Sequence, residues 1–375
     1  MTSVLPHPTV LIRLDRLGDL ILTLPVDQLP KFKFQQVQWV IPQGLEFVLD
    51  STKPKRAYRS INKNGGWSQF WNFVKWLKQE NFQTAIVFHG PWWVGLALKL
   101  AGIEQRHTRQ SQWHSYLFYN SGYRQKRSQA ELHELEYNIE LALSTEPRFL
   151  EEHRSGNRKT LTEYVENSIQ STKMIDHTSS PNYPDIPFDL QKFGLKLESS
   201  IDLPEDIKNQ ISTPYIVIHA GMGGSAKNWP ISKYAETVDQ MSSKITVVLT
   251  GTKGDLPYLD PLKSLIKNKD KIVWLNEKLD GNQLIKVVSQ AKAVLAPSTG
   301  VLHIAASCQV PTLGLFNNKT VERETRWGGI GSKVININGD KYNSADSGST
   351  KDDENAIENI PVDVVVQQLT EMSQI

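Results

Sequence analysis

Cysteine is nearly absent from this chain: among 375 residues only Cys308 carries a thiol. That excludes an intramolecular disulfide and a cysteine-built metal site, and it fits a reducing compartment. An excess of one charge sign is missing too, since 42 Lys and Arg face 40 Asp and Glu for a formal net of +2. A dedicated nucleic-acid binder would carry a clear basic surplus, so nucleic acid is not an expected partner. Long apolar runs are also lacking. The most apolar early stretch, residues 20–26, contains Pro25 and falls far short of the roughly 20 residues a membrane-crossing helix needs. Residues 1–9 lack the basic-then-apolar layout of a signal peptide, which makes the cytoplasm the expected location. What is present describes a globular chain, with 39% hydrophobic and 22% charged residues. Its length exceeds one ordinary core, so two domains are expected.

Strand and helix patterns alternate along the chain. Buried-strand patterns occur at residues 9–14, 37–41 and 84–88. A helix is expected from Asp19, and Trp67, Phe70, Trp71 and Val74 form a stripe at helical spacing that should pack on a sheet. The second half is more regular, with strands at 215–219, 245–249, 271–275, 293–296 and 312–316 separated by loops and amphipathic helices. Pro230 can open one helix without losing a hydrogen bond. This alternation predicts an α/β fold of parallel sheets covered on both faces, with the strand-to-helix loops on one ligand-binding edge. Expected boundaries are a first domain over 1–150, a polar linker or insertion over 151–212, a second domain over 213–360, and a C-terminal helix over 361–375 that packs back toward the first domain. Residues 338–355 read as a mobile loop.

Several motifs fall on that edge. Gly221, Gly223 and Gly224, with Ser225 and Lys227, follow a strand and precede a helix, where backbone N–H groups approach a phosphate. The spacing is not that of a Walker loop, and a plain flexible connection is the competing reading. Ser298, Thr299 and Gly300 begin another helix, as a second anion turn or a simple cap. His303, one turn further on, reads as a buried, hydrogen-bonded histidine. Asp255 either accepts from ribose hydroxyls or stabilises the next helix start. In the first half only Gly18 of a G-x-G-x-x-G pattern is present, which argues against a dinucleotide there. Asp19 opens a helix just after Arg13 and Arg16, which would keep it ionised and could meet an anionic substrate. A basic set of Arg106, His107, Arg109, Arg124, Lys126 and Arg127 is interleaved with Trp113, Tyr116, Phe118 and Tyr119. It suits an acidic saccharide or an anionic lipid surface, or is a solvated loop.

The run from Val10 through Asp19 to Pro25, the run from His219 to Pro230 with its Lys-Asn-Trp-Pro ending, and the run from Ser298 to Ala306 stand in order. Together they resemble the signatures of the bacterial lipopolysaccharide heptosyltransferases, glycosyltransferase family 9, and His133 to Asn138 is similar to a weaker segment. The resemblance implies a GT-B fold, two Rossmann-like domains facing a cleft. It implies an inverting, metal-independent transfer of a sugar, heptose from ADP-heptose, to a lipopolysaccharide core or related envelope glycan. Asp19 would be the general base. The donor would be bound by Gly221, Gly223, Gly224, Ser225, Lys227, Asp255, Ser298, Thr299, Gly300 and His303. Arg13, Arg16, Arg106, Arg109 and Arg124 are the acceptor-binding candidates. The expected partners are a nucleotide-diphosphate sugar and an anionic glycolipid acceptor, with peripheral contact at the inner membrane face; no metal and no cofactor are expected. Ser298 stands where the family often has an Asp that touches the donor sugar. Two other readings are a GT-B transferase using another nucleotide sugar, and a sugar-nucleotide-binding protein without catalysis.

Overall fold

The computed structural model describes residues 8–33, 35–175, 190–211, 213–223, 226–342 and 353–375. Most of the loop expected at 338–355 lies outside them, as do the candidate residues Gly224 and Ser225. The chain divides into two compact units, Met1–Arg127 with Glu131–Leu195, and Ser128–Ala130 with Lys196–Ile375.

The first unit holds six strands: β1 (Thr9–Arg13), β2 (Val37–Pro42), β3 (Tyr58–Ile61), β4 (Thr84–His89), β5 (Gln105–Arg109) and β6 (Ser121–Tyr123). All pair in parallel, in the order β3-β2-β1-β4-β5-β6. The second unit repeats the plan with β7 (Tyr215–His219), β8 (Thr246–Thr250), β9 (Ile272–Trp274), β10 (Val294–Pro297), β11 (Thr312–Phe316) and β12 (Val334–Asn338). Their order is β12-β11-β10-β7-β8-β9, again all parallel. Each sheet therefore starts at its middle and reverses direction once, between β1 and β4 and between β7 and β10. At such a switch point successive loops part to opposite faces and leave a crevice beyond the strand ends. β1, β7, β8 and β11 are buried at every residue. Helices on both faces explain why these strands read as continuous apolar runs rather than alternating ones.

The stripe on the helix Trp67–Glu80 is corrected. Phe70, Phe73, Val74 and Leu77 form its buried face, whereas Trp67 is 73% and Trp71 55% exposed. The polar stretch at 151–212 is not a plain linker. It contains the helix Arg158–Ile175, whose Leu161, Val165 and Ile169 are buried at four-residue spacing while Tyr164 packs edge-on to Phe149. One apolar residue per turn is too sparse to stand out from the surrounding Glu, Lys and Thr, and the first unit consequently runs on to Leu195. The C-terminal helix Val362–Ser373 also differs from expectation. Val362, Val365, Val366 and Leu369 are built into the second unit's core beside Tyr234, Val238 and Met241. Full burial of such a side chain stabilises by about 1.5–3 kcal/mol, so this face is committed. Among the described residues no helix is long and apolar enough to cross a membrane.

Candidate active site

At the switch point of the first unit, β1 ends on Arg13, whose register with β4 shifts to His89, and the Leu14 amide donates to the His89 carbonyl at 3.0 Å. The chain then enters the short helix Leu17–Ile21, with Asp19 in its first turn. The Thr23 hydroxyl donates to the Asp19 carbonyl at 2.7 Å, and Asn138 Nδ2 donates to the Thr23 hydroxyl at 3.0 Å and to the Leu22 carbonyl at 3.1 Å. The turn is thereby fastened to the helix Glu134–Leu143, which is buried along its whole length and opens with a capping box from His133 and Glu136.

The Arg13 guanidinium, only 2% exposed, organises the charges. It donates to Asp15 Oδ1 at 2.7 Å and to Asp19 Oδ1 at 2.6 Å, and lies 3.6 Å from Glu134 Oε1. It also donates to Asn138 Oδ1 at 3.3 Å. Arg127 bonds the same Glu134 carboxylate and the same Asn138 oxygen. Two guanidinium groups thus serve three carboxylates, leaving one excess negative charge when all are ionised. Burial, aided by Asp15 and Glu134 and opposed by Arg13, raises the Asp19 pKa to about 6. Burial works against the charge on Arg13, but Asp15, Asp19 and Glu134 outweigh it, so its pKa is raised. His89, 3.6 Å from Asp15 Oδ2, has its pKa lowered by burial and by nearby Arg13, Arg109 and Lys63, against the pull of Asp15.

The basic set separates into different roles. Arg13 is a buried organiser of carboxylates and not an exposed acceptor contact. Arg106 spends its guanidinium on the carbonyls of Phe118, at 2.9 Å, and Ile103. His107 is fully buried between the Ser121 and Ser144 hydroxyls; burial pushes it down to about 4, so it is neutral. Arg127 belongs to the Glu134 cluster. Burial removes His107 and Arg127 from any solvent-facing basic patch, and the half-buried Arg106 is withdrawn from it by its two carbonyl bonds. Arg16 and Arg124 are exposed, and Arg109 is half-buried with its Nε on the Ser111 hydroxyl at 3.1 Å. Glu134 and Asn138 were missed as site residues, the similarity at His133 to Asn138 being the one available signal, and Arg127 was foreseen only as a member of the basic set.

The second unit repeats the construction. β7 ends on His219, whose Nδ1 is 3.2 Å from the Thr250 hydroxyl; burial lowers its pKa, opposed by Asp255. The glycine loop follows. Asp255 is 4% exposed and fully engaged in shaping it: Oδ2 accepts from the Thr252 amide at 2.9 Å and hydroxyl at 2.8 Å, and Oδ1 from the Gly223 amide at 3.3 Å. That favours the turn-stabilising reading over a free ribose ligand. A Cβ on Gly221 would come within 2.2 Å of the Asp255 carboxylate, and Gly223 has φ +55°, so both positions need glycine. Lys227 is 2.6 Å from Glu358 Oε1 and also bonds Asn355. Asn228 donates to the Ala220 carbonyl at 2.6 Å and accepts from the Trp229 amide at 2.9 Å. The buried Trp229 indole donates to the Ile360 carbonyl at 3.1 Å. Thus Lys-Asn-Trp-Pro clips the loop to the segment around residues 355–360, and Pro230 caps the helix Ile231–Ser242.

Across the switch point, β10 leads through the half-buried Ser298 and Thr299 to the helix Gly300–Ser307. Thr299 occupies the N-cap position with no side-chain cap bond, and its buried hydroxyl has no hydrogen-bond partner. A polar atom left so is costly unless a ligand completes it. His303 is buried at 4% exposure inside this helix, as a structural histidine would be. Among the described residues no group of three or more His, Cys, Asp or Glu stands ready to hold a metal.

The family model for glycosyltransferase family 9 (heptosyltransferase) matches residues 70–357. A Haemophilus influenzae protein provisionally described as a glycosyltransferase is 25% identical over 269 residues, 71% of this chain and 69% of that one. Escherichia coli ADP-heptose lipopolysaccharide heptosyltransferase II superposes with a TM-score of 0.71 at 16% identity, covering 98% of both chains. A family 9 glycosyltransferase of Veillonella parvula gives 0.68 at 16% identity, over 98% of this chain and 97% of that one. Escherichia coli heptosyltransferase WaaC with ADP gives 0.62 at 15% identity, over 97% and 99%. Identities this low establish the shared GT-B architecture of two Rossmann-like sheets, while the family match spans most of the sequence. The chain belongs to glycosyltransferase family 9, the heptosyltransferase family, and is a glycosyltransferase.

Proposed function

We propose that the enzyme moves a sugar from a nucleotide-diphosphate donor on the second unit to a hydroxyl of a glycan acceptor on the first, with inversion and without a metal. The acceptor oxygen forms a bond to the anomeric carbon and gives its proton to the Asp19 carboxylate. The bond from that carbon to the diphosphate breaks, and its electron pair leaves with the nucleotide. The family match begins at Phe70, so the role of Asp19 rests on its resemblance to the family signature and on its setting. The observation that carries it is a carboxylate raised to about 6 by burial, close to the working range of a general base near neutral pH.

Charge on the leaving diphosphate falls to Lys227 and to the N-termini of the helices Ile231–Ser242 and Gly300–Ser307, assisted by the Thr299 hydroxyl. Asp19→Asn keeps the Arg13 contact but cannot take the proton. Transfer should fall by about 10²–10⁴-fold, with ADP binding retained by calorimetry; near-normal turnover would remove Asp19 from the mechanism. Unchanged transfer in EDTA would support independence from a metal.

Heptose from ADP-heptose is the donor reading favoured by a similar structure whose name carries ADP-heptose and lipopolysaccharide heptosyltransferase, and with it we propose a lipopolysaccharide core at the inner membrane face as the acceptor. Ser298 favours a second reading, a different sugar, because it lacks the carboxylate the family often places against the donor's hydroxyls. A thermal-shift panel of nucleotide sugars separates them, since a ligand at about 100 times its Kd adds roughly 2.7 kcal/mol of stability.

A further inference from the structure

Glu134 and Asn138 stand one turn apart on the helix Glu134–Leu143, a spacing that puts both side chains on one face. Both meet Arg13. Glu134 Oε1 lies 3.6 Å from its Nη2, and Asn138 Oδ1 accepts from its Nη1 at 3.3 Å. Nη2 is also the nitrogen that donates to Asp19 at 2.6 Å. A single nitrogen therefore faces two carboxylates, the partly exposed Asp19 and the buried Glu134. Glu134 occupies the first turn of its helix, where the helix dipole favours a negative charge. It is a standing competitor for the cation that holds Asp19.

Arg127 opposes that competitor. It bonds Glu134 Oε1 and shares Asn138 Oδ1 with Arg13, at 3.2 Å. Its Nε donates to Gln125 Oε1 at 2.9 Å, and its guanidinium lies 5.3 Å from the Tyr137 ring centre. Gln125 in turn donates to the Tyr137 carbonyl at 2.6 Å and to Glu140 Oε2 at 2.8 Å. The cation is thus fastened along the same helix that carries Glu134. The charges acting on the Asp19 carboxyl are Arg13, Asp15 and Glu134. Arg16 precedes it on the chain and is exposed, and His89 lies 3.6 Å from Asp15. Arg127 reaches Asp19 through Glu134.

We propose that Glu134 and Arg127 are positioning residues for Asp19: Glu134 competes with it for the Arg13 guanidinium, and Arg127 limits that competition by neutralising Glu134. This rests on the reading of Asp19 as the base and assigns the strength of that base to a pair buried behind it. Removing the Glu134 charge leaves more of Arg13 to Asp19 and weakens the base. Removing Arg127 lets Glu134 draw harder on Arg13 and strengthens it. A role in folding alone gives no such opposition of sign.

The test reads the Asp19 carboxyl in the full chain without substrate, by NMR of aspartate labelled with carbon-13 at Cγ. The Asp19 resonance is the one lost in Asp19→Asn. Glu134→Gln should move its titration midpoint down by roughly one pH unit, and Arg127→Gln should move it up. Arg127→Lys should keep the parent midpoint. In the double variant Arg127→Gln should add nothing to Glu134→Gln, because the group it acts through is gone. That variant removes both charges together, so its lowered midpoint keeps the test decisive where a single change leaves an unmatched buried charge and unfolds the chain. Shifts of one sign in both single variants, or an unchanged midpoint without Glu134, overturn the proposal. So does an Arg127→Gln effect that persists undiminished when Glu134 is absent. Transfer from ADP-heptose to lipopolysaccharide core, assayed on the same variants, separates this pair from the reading beneath it. The acid limb of kcat/KM should follow the carboxyl midpoint, and kcat of Glu134→Gln should fall by no more than about tenfold with ADP affinity unchanged. Midpoints that move while the acid limb stays fixed would remove Asp19 as the base and leave the effect of the pair on its carboxyl intact.

Discussion

Asp19 receives a 2.6 Å hydrogen bond from the Nη2 of Arg13, a guanidinium almost wholly removed from solvent, yet its pKa is raised and not lowered. An isolated carboxylate beside Arg would be held well ionised. Here one guanidinium is shared with Asp15 and Glu134, and burial penalises the remaining charge. Burial first, and then the repulsion of Asp15 and Glu134, make Asp19 basic enough to accept a proton while Arg13 fixes its position.

The first prediction concerns pH. Transfer should lose activity as pH falls through about 6, following protonation of Asp19, and a kcat/KM profile measures this. The sign for stability is opposite. The folded pKa lies above the ordinary carboxylate value of 3.8, so the folded state binds the proton more tightly and stability falls as pH rises from about 4 to about 6. Denaturant melts of Asp19→Asn against the parent should lack this component of the slope. An unchanged slope would mean that Asp19 titrates normally.

Thr299 gives a prediction in which stability and binding move apart. Its hydroxyl makes no cap bond and has no partner. Thr299→Val should therefore leave Tm unchanged or raise it, removing an unsatisfied buried group worth about 1–3 kcal/mol. The same variant should bind ADP more weakly by calorimetry, and Thr299→Ser should keep the affinity. A drop in Tm with unchanged ADP binding would show that the hydroxyl is structural.

Lys227 is held by Glu358 and Asn355 across the loop clip. A diphosphate must compete with that half-exposed pair, which is worth only about 0.2–1 kcal/mol. Lys227→Met should weaken ADP binding by roughly tenfold or more, as expected for a lost charge-assisted bond of about 1.5–3 kcal/mol. Glu358→Gln should tighten it by up to about fivefold. Weaker binding in Glu358→Gln would instead give Glu358 a direct part in holding the nucleotide.

Gly221 and Asp255 provide a coupling test. A methyl group at 221 meets the Asp255 carboxylate at 2.2 Å, so Gly221→Ala should destabilise by about 1–3 kcal/mol through overpacking. Asp255→Ala removes the obstacle along with the bonds to Thr252 and Gly223. A double-mutant cycle in urea should show that the pair costs less than the two single changes combined. Simple additivity would mean the loop avoids the clash by moving.

The two sheets were legible because their central strands are buried on both faces and so must be apolar throughout. β7 and β11 coincide with the expected spans. β3, β5, β6 and β12 were not foreseen; they lie outside the central pairs and carry polar runs such as Gln105–Arg109. The helix Arg158–Ile175 was hidden for a related reason, since only sparse apolar residues mark its buried face.

By itself the sequence determined the α/β alternation, the three collinear motifs and hence the family, because periodicity and local turn chemistry are written in neighbouring residues. Tertiary structure alone decided which charged residues are buried. Arg13, Arg127 and Glu134 meet only after a helix more than 100 residues downstream packs beneath the first strand's turn. A side chain's solvation, and therefore whether a cation binds substrate or tunes a neighbouring carboxylate, depends on what the fold brings around it.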